Sequence, residues 1–406
     1  ITPDTGYEII NITVNGEDVS EEWVTEKAIV KVNLSDEVAL TDALITVNGK
    51  EFKSTFNSTK EESITIDLSK DVPRASDGKY KINVIVKDLS GNESTALSRT
   101  VKADFDKPVL SNLKANGHYV EDEGVVYIRD TISISGDTSD VGSGIDRVEL
   151  LNGSDIVAEG LPLNISESGT YKVRVYDVSG LYTDIRVNEF LGTESNTIVA
   201  DNTYPLVQRV SGFNPDLVLG EGTFWYNHYP DLSFSITDDN IKRVSIKVNG
   251  EERVDELSND GTYNIKTDGL EGKVNVEVEA VDRIGFTTKD SYNFYIDTTA
   301  PENIVGVIDK ESIIKSGTAF FKEQPSIAVS ANDSGVGLDK YILSGDKNEE
   351  NTSGQFELGT GTFYLEVQDK LGNSTGKLPV SEVIGLDSNT FVVDEEAPVI
   401  DTSRPS

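Results

Sequence analysis

The sequence predicts an all-β protein made of four tandem antiparallel β-sandwiches in an extended array. Three observations predict this fold class: a proline-ended motif that recurs at a fixed period, short segments in which apolar and polar residues alternate, and glycine-bearing turns between those segments. The chain has 406 residues, enough for several domains of ordinary size. No long segment has the 3.6-residue period of a helix.

The strongest signal is the motif D-x-x-x-P, which occurs four times with its prolines 97, 96 and 97 residues apart. Because this spacing is about the length of one small domain, it predicts four copies. The copies of the motif are Asp104–Pro108, Asp201–Pro205, Asp297–Pro301 and Asp394–Pro398. We therefore expect domains at residues 1–103, 104–200, 201–296 and 297–393, with residues 394–406 beginning a further junction.

Two further motifs recur in the same order within each copy. An alternating apolar segment leads into a D-x-x-G turn, which is typical of a strand entering a hairpin. Earlier in each copy, an aromatic residue stands 13 positions before an aspartate. The turns are Asp88–Gly91, Asp177–Gly180, Asp282–Gly285 and Asp369–Gly372, and the aromatic–aspartate pairs are Trp23 with Asp36, Tyr127 with Asp140, Trp225 with Asp238, and Phe320 with Asp333.

The four copies alternate between two types. The distances from the D-x-x-G aspartate to the next D-x-x-x-P aspartate are 16, 24, 15 and 25 residues. Copies two and four also share a glycine loop, D-x-G-x-G-x-D, at Asp140–Asp146 and Asp333–Asp339, which lie 193 residues apart. The sequence therefore predicts a pair of unlike domains, A and B, that occurs twice.

Asn-Gly turns also recur, at Asn48-Gly49, Asn152-Gly153 and Asn249-Gly250, and two junctions end in Ala-Pro, at Pro301 and Pro398. Together with the early aromatic, the glycine loop and the D-x-x-G-N turn, these motifs resemble the bacterial immunoglobulin-like repeats of large adhesin-type surface proteins. The resemblance covers essentially all of the chain and implies immunoglobulin-like sandwiches that serve as a stalk or an adhesive array. Copies two and three depart from D-x-x-G-N, with Leu181 and Phe286 in place of the asparagine. These departures speak against a shared chemical role for that asparagine.

Charge and composition exclude several classes of function. The formal net charge of −35 repels phosphate backbones and anionic lipid surfaces, so no nucleic-acid partner and no membrane insertion are expected. The chain has no cysteine, which removes disulfides and thiolate sites and favours a bacterial surface or a reducing compartment. His118 and His228 fall in different predicted domains and outside any nucleophile motif, so no enzyme is expected.

No apolar run approaches the roughly 20 residues that span a bilayer. The first residues do not have the pattern of a secretory leader. We therefore expect any attachment to a membrane or wall to lie outside these residues, and we expect an extracellular location on the bacterial surface.

The acidic loops supply candidate calcium ligands. In a sandwich of about seven strands, the glycine loop and the D-x-x-G turn lie by parity at the end that faces the preceding junction. Calcium takes roughly six to eight oxygen ligands, but aspartate also caps turns with its own carboxylate, so calcium binding and plain turn chemistry both stay open. No cofactor is otherwise required. The candidate ligands are Asp104, Asp106, Asp140, Asp146 and Asp177 at the first junction, and Asp297, Asp333, Asp339 and Asp369 at the third.

The densest aromatic stretch is 224–229. Trp225 occupies the recurring aromatic position, which favours a packing role, whereas Tyr226, His228 and Tyr229 have no clear counterparts and are the candidate ligand-binding residues. The predicted function is a non-enzymatic stalk that projects a distal head of a surface adhesin from the cell. Two alternatives stay open: a module that binds a host glycan or protein, and a component of a surface-layer lattice.

Overall fold

The structure, a computed structural model, describes residues 9–257 and 260–399. The start of the first predicted domain and the end of the predicted junction at 394–406 lie outside the described residues. Within them the chain is nearly all β, with 34 strands and two short helices, which confirms the predicted all-β class. The chain divides into two compact units, residues 1–202 and 203–406. Each unit contains two hydrophobic cores, and the buried residues of each core fall within one of the four predicted ranges.

Domain 1 is a curled seven-stranded sheet. Its strands are β1 (Ile9–Val14), β2 (Glu17–Asp18), β3 (Trp23–Val24), β4 (Ile29–Val47), β5 (Lys50–Asp67), β6 (Lys79–Asp88) and β7 (Leu97–Ala103). Their order is β2-β1-β4-β6-β7-β3, and β5 pairs with β4. The first half of β4 pairs with β1 and the second half with β6, with register shifts between Ser35 and Asp42. Because such shifts bend a strand, β4 contributes to two sides of the core.

Domain 2 is an eight-stranded sheet with one helix. Its elements are β8 (Val109–Asp122), β9 (Val125–Ser139), β10 (Ile145–Asn152), β11 (Asp155–Glu159), β12 (Leu163–Ile165), β13 (Gly169–Asp177), β14 (Tyr182–Arg186), α1 (Val187–Leu191) and β15 (Thr197–Ala200). The order is β11-β10-β13-β15-β9-β12, with β14 on β13 and β8 on β9. The glycine loop connects β9 to β10, and the D-x-x-G turn connects β13 to β14.

Domain 3 consists of two sheets around an aromatic core that includes Tyr226, Phe234 and Phe294. Its strands are β16 (Leu206–Ser211), β17 (Leu217–Leu219), β18 (Thr223–Tyr226), β19 (Leu232–Thr237), β20 (Ile241–Val248), β21 (Glu251–Leu257), β22 (Gly261–Ile265), β23 (Gly272–Asp282) and β24 (Thr287–Ile296). One sheet has the order β16-β19-β22, and the other has the order β17-β18-β24-β23-β20-β21.

Domain 4 has the same two-sheet arrangement with a helix added. Its elements are β25 (Glu302–Ile308), β26 (Ile313–Lys315), β27 (Thr318–Phe321), β28 (Ser326–Asn332), β29 (Leu338–Gly345), β30 (Glu349–Asn351), β31 (Gln355–Glu357), β32 (Gly361–Asp369), β33 (Leu378–Pro379), α2 (Val380–Ile384) and β34 (Thr390–Val393). The small sheet is β25-β28-β31. The large sheet is β26-β27-β34-β32-β29-β30, with β33 on β32.

The two helices account for the alternation of domain types. Helices α1 and α2 precede the last strands of domains 2 and 4, whereas the last two strands of domains 1 and 3 pair directly. The inserted helix therefore explains the longer distance from turn to junction in the B domains. In the described part of the chain, no helix is long and apolar enough to cross a membrane.

Every domain ends in the same way. The strand that carries the recurring aromatic pairs in parallel with the last strand of its domain. The N–H of the junction aspartate then donates to the carbonyl of the residue after that aromatic, at 2.9 Å each time: Asp104 to Val24, Asp201 to Ile128, Asp297 to Tyr226, and Asp394 to Phe321. The first residue of each D-x-x-x-P motif is thus a fixed extension of the preceding domain.

Candidate metal centre

In the B domains, the glycine loop and the D-x-x-G turn lie side by side. The N–H of Val178 donates to the carbonyl of Gly144 at 2.9 Å, and the N–H of Lys370 donates to the carbonyl of Gly337 at 3.1 Å. These backbone bonds place the first aspartate of the loop beside the first aspartate of the turn, as strand parity predicts.

The junction aspartate completes a group of three in each unit. The first aspartate cluster is Asp104, Asp140 and Asp177, and the second aspartate cluster is Asp297, Asp333 and Asp369. In each cluster, one carboxylate oxygen from every aspartate lies within 4.8 Å of those from the other two. The structure therefore brings together six of the nine predicted ligands.

The loop glycines allow the junction aspartate to come this close. A Cβ at Gly142 would overlap the carboxylate of Asp104, and a Cβ at Gly335 would overlap the carboxylate of Asp297. The following N–H groups complete the contact: Ser143 donates to Asp104 Oδ2 at 2.6 Å, and Val336 donates to Asp297 Oδ2 at 2.8 Å. The second loop glycine has a φ of +87° in domain 2 and +88° in domain 4, a conformation that side chains rarely adopt.

Both clusters contain carboxylate oxygens that are buried without a hydrogen-bond partner. These atoms are Asp140 Oδ1 and Asp177 Oδ2 in the first cluster, and Asp333 Oδ1 in the second. Asp177 is only 1% exposed. A buried polar atom without a partner is costly and uncommon in folded proteins.

The clustering of negative charge is itself unfavourable. Two like charges about 5 Å apart repel by about 3 kcal/mol at an effective dielectric constant of about 20. Burial raises the pKa of Asp140 above its ordinary value, and the charges of Asp104 and Asp177 raise it further against the opposing hydrogen bond from Gly144. Burial likewise raises the pKa of Asp369, with a smaller contribution from Asp297. A divalent cation bound by the carboxylates would offset this repulsion.

Three predicted ligands lie outside the clusters. Asp146 and Asp339 each directly follow the first residue of a strand, Ile145 or Leu338, and both are exposed. Because successive side chains of a strand point to opposite faces, the half-buried Ile145 and Leu338 turn these aspartates toward solvent. Asp146 Oδ2 instead bonds to Arg147 at 2.5 Å.

Asp106 is also separate from the first cluster. Its carboxylate Oδ2 pairs with Arg74 Nε at 3.3 Å, and its N–H donates to Asp104 Oδ1 at 3.2 Å. Asp106 therefore contributes to the turn around Asp104 through its backbone.

The candidate ligand-binding residues differ in accessibility. Tyr226 is 0% exposed and belongs to the core, with its hydroxyl bonded to the carbonyl of Gly212 at 3.0 Å and to the hydroxyl of Tyr292 at 2.8 Å. Burial raises its pKa well above the ordinary value, and the Tyr292 hydroxyl adds to the shift. The expectation of a binding residue therefore does not hold for Tyr226, which shares the inward position after the recurring aromatic with Phe321.

His228 and Tyr229 lie nearer the surface. The His228 side chain is 54% exposed, and its Nδ1 lies 2.9 Å from Asp216 Oδ2. The Tyr229 hydroxyl donates to Glu271 Oε1 at 2.8 Å. Their proposed contact with a ligand remains a prediction.

The equivalent aspartates of the A domains were not among the candidate ligands predicted from the sequence. The N–H of Leu89 donates to the carbonyl of Ala39, and the N–H of Arg283 to the carbonyl of Asn240, so loop and turn are pinned as in the B domains. Asp36 and Asp88 in domain 1, and Asp238 and Asp282 in domain 3, hold the corresponding positions. The 13-residue aromatic-to-aspartate spacing already marks Asp36 and Asp238, although their loops lack the two glycines.

Comparisons with known proteins give likenesses of fold. No protein-family model matches the chain, and no curated protein matches it. Among solved structures, the chain is similar to a tetra-tandem repeat in the extending region of a large adhesion protein (15% identity over 92% of this chain and 99% of that chain, TM-score 0.35). It is also similar to the D1–D4 ectodomain fragment of ICAM-5 (8% identity, 91% and 99%, TM-score 0.41) and to a fragment of a 1.5-MDa bacterial ice-binding adhesin (15% identity, 72% and 98%, TM-score 0.23).

Proposed function

We propose that this chain is a non-enzymatic spacer region of a bacterial surface adhesin, located outside the cell, and that divalent cations bind its aspartate clusters and stiffen the junctions. In this role the domains carry a distal head away from the cell. Contact with host glycan or protein is then made through this or a distal domain.

One observation carries the proposal: Asp104 and Asp297, the junction aspartates within the two units, are each held by two neighbouring domains at once. The backbone of Asp104 bonds to Val24 of domain 1, while its side chain accepts the N–H of Ser143 in domain 2. Asp297 is held in the same way by Tyr226 of domain 3 and Val336 of domain 4. A residue fixed on both sides limits hinge motion within its unit, which suits a spacer.

The donor set fits a hard divalent cation. Each cluster offers carboxylate oxygens from three aspartates, and calcium accepts oxygen ligands in flexible geometry. Asp104, Asp140 and Asp177 would hold one ion, and Asp297, Asp333 and Asp369 another. The ion would offset the repulsion among three carboxylates and link two domains.

Small-angle scattering of the full chain, with millimolar calcium and then with chelator, tests the proposal. We expect an elongated particle of roughly 150 Å, because a sandwich is roughly 35–45 Å long, that becomes more flexible when calcium is removed. Compact scattering in both conditions would contradict the spacer role. An elongated particle that does not respond to chelator would keep the spacer and assign the aspartates to turn chemistry. Calcium-dependent growth of the particle with protein concentration would instead favour the lattice alternative.

A further inference from the structure

The two aspartate clusters differ at the fourth residue after the turn aspartate. In both turns the N–H of this residue donates to Oδ1 of that aspartate, from Leu181 to Asp177 at 2.9 Å and from Asn373 to Asp369 at 2.8 Å. The backbone bond made at this position is therefore the same in both turns, and the difference at this position lies in the side chain.

The side chain of Asn373 satisfies the oxygen that Leu181 leaves unpaired. Asn373 Nδ2 donates to Asp369 Oδ2 at 2.7 Å and lies 2.9 Å from the carbonyl oxygen of Asp297. A single amide group thus joins two members of the second cluster. Leucine has no donor, and Asp177 Oδ2 is buried without a partner.

A cationic side chain near the second cluster is a further difference between the two clusters. Lys370, the residue after the turn aspartate, places its Nζ 3.4 Å from the carbonyl oxygen of Val336, on the loop of the second cluster. The corresponding residue of domain 2 is Val178, which carries no charge and is exposed. The second cluster therefore has positive charge and an amide donor beside it, and the first cluster has neither from these two positions.

We infer that Leu181 and Asn373 set the relative cation affinity of the two clusters: in the first cluster Asp177 Oδ2 is left for a divalent cation, whereas in the second the Asn373 amide already bonds to the equivalent oxygen, Asp369 Oδ2, and the cation binds more weakly. This inference rests on the proposed binding of divalent cations. A carboxylate oxygen that accepts an amide hydrogen bond offers less to a metal, since the ion must compete with the amide for it.

A calcium titration of the full chain, followed by amide hydrogen exchange at the two loops, tests the inference. The N–H groups of Ser143 and Val336 report separately on the first and second clusters, because each donates to the junction aspartate of its own cluster. We expect the loop of domain 2 to become protected at a calcium concentration at least about tenfold lower than the loop of domain 4. Leu181→Asn should raise the concentration needed at the first loop about tenfold, and Asn373→Leu should lower it similarly at the second.

Two controls separate this effect from damage to the turn. Leu181→Ala shortens the side chain without adding a donor, so the calcium response of the first loop should persist, and Asn373→Ala should act in the same direction as Asn373→Leu. If both loops respond at the same calcium concentration, and neither Leu181→Asn nor Asn373→Leu changes that concentration, the inference is wrong while cation binding stands. If neither loop responds at any calcium concentration, cation binding fails at both clusters and the inference fails with it.

Discussion

Domains 2 and 4 have the same loop, the same turn and the same helix, but they compensate charge differently. In domain 2, Arg174 and Lys172 pair with Asp184 across β13 and β14, with Arg174 Nε at 2.6 Å from the carboxylate. In domain 4, the residue at the position of Arg174 on β32 is Glu366, whose carboxylate accepts neutral donors from Ser374 at 2.5 Å and Gln368 at 2.9 Å. At the clusters the cation lies in the other domain: domain 4 has the Asn373 amide and Lys370 beside its aspartates, whereas domain 2 has Leu181 and Val178 at these positions.

This difference separates what the fold requires from what each copy adds. The first loop glycine is fixed by contact with the junction aspartate and the second by its positive φ, so both recur in the two domains. The side chains that neutralise carboxylates do not determine the backbone, so they vary between copies. Changes to the shared features should therefore act alike in both domains, whereas changes to the charged groups should act in one domain only.

The largest shared effect is expected from Gly142→Ala and Gly335→Ala. In each variant the new methyl group would occupy the space of the junction carboxylate, so the loop or the aspartate must move. Overpacking of this kind costs about 1–3 kcal/mol, and loss of the N–H bond to the carboxylate adds to it. Hydrogen exchange at Ser143 and Val336 should rise in the respective variants.

Gly153→Ala is the matched control for the glycine variants. Gly153 lies in a turn of domain 2 with a φ of +61° and has open space around its Cβ position. Its replacement should cost only the backbone strain of about 1–2 kcal/mol and leave the exchange of Ser143 unchanged. Equal exchange at Ser143 in Gly142→Ala and in the control would show that the glycine does not control the approach of Asp104.

The next largest effect is a pH dependence of the free energy of unfolding that we expect to be larger in domain 2 than in domain 4. Hydrogen bonds and charge from Arg174, and then from Lys172, lower the pKa of Asp184 from 3.8 to about 2. A carboxyl whose pKa is depressed in the folded state stabilises the fold above its unfolded pKa, and the stabilisation is lost as pH falls from about 4 toward 2. Asp184→Asn should thus lower the free energy of unfolding of domain 2 by about 1–2 kcal/mol at neutral pH and by almost nothing near pH 2.

Calorimetry of the full chain over this pH range measures the difference. Glu366→Gln in domain 4 provides the comparison, because an amide can keep one hydrogen bond with the neutral partners of Glu366. It should shift unfolding less than Asp184→Asn at neutral pH. A pH-independent effect of Asp184→Asn would show that the ion pair does not supply the stability of this strand pair.

The sequence predicts the repeat, the sandwich class and the gathering of six aspartates because these depend on period and parity. Strand alternation also indicates that Asp146 and Asp339 are not members of the aspartate clusters, because each follows an inward-facing apolar residue and therefore faces solvent. Tyr226 illustrates the same rule: it follows Trp225 on β18 and therefore faces the core.

The role of Asn373 could not be read from the repeat. Its variation to Leu181 and Phe286 argues against a shared chemical role when only residue types are compared. In the structure, the backbone N–H at this position donates to the turn aspartate in domains 2, 3 and 4, whereas the side chain differs between these domains. Whether a side chain reaches a carboxylate oxygen depends on its direction in three dimensions, which spacing alone does not encode.

The smallest shared effect should come from the helix ends. Gly192 and Gly385 close α1 and α2 in a left-handed conformation with φ of 73° and 71°, and the region around each Cβ position is open. Alanine at either site meets only the backbone penalty, so Gly192→Ala and Gly385→Ala should each cost about 1 kcal/mol. Calorimetry should show similar shifts for the two domains, with the calcium response of the loops unchanged. A change in that response would mean that the helix of a B domain is coupled to its aspartate cluster.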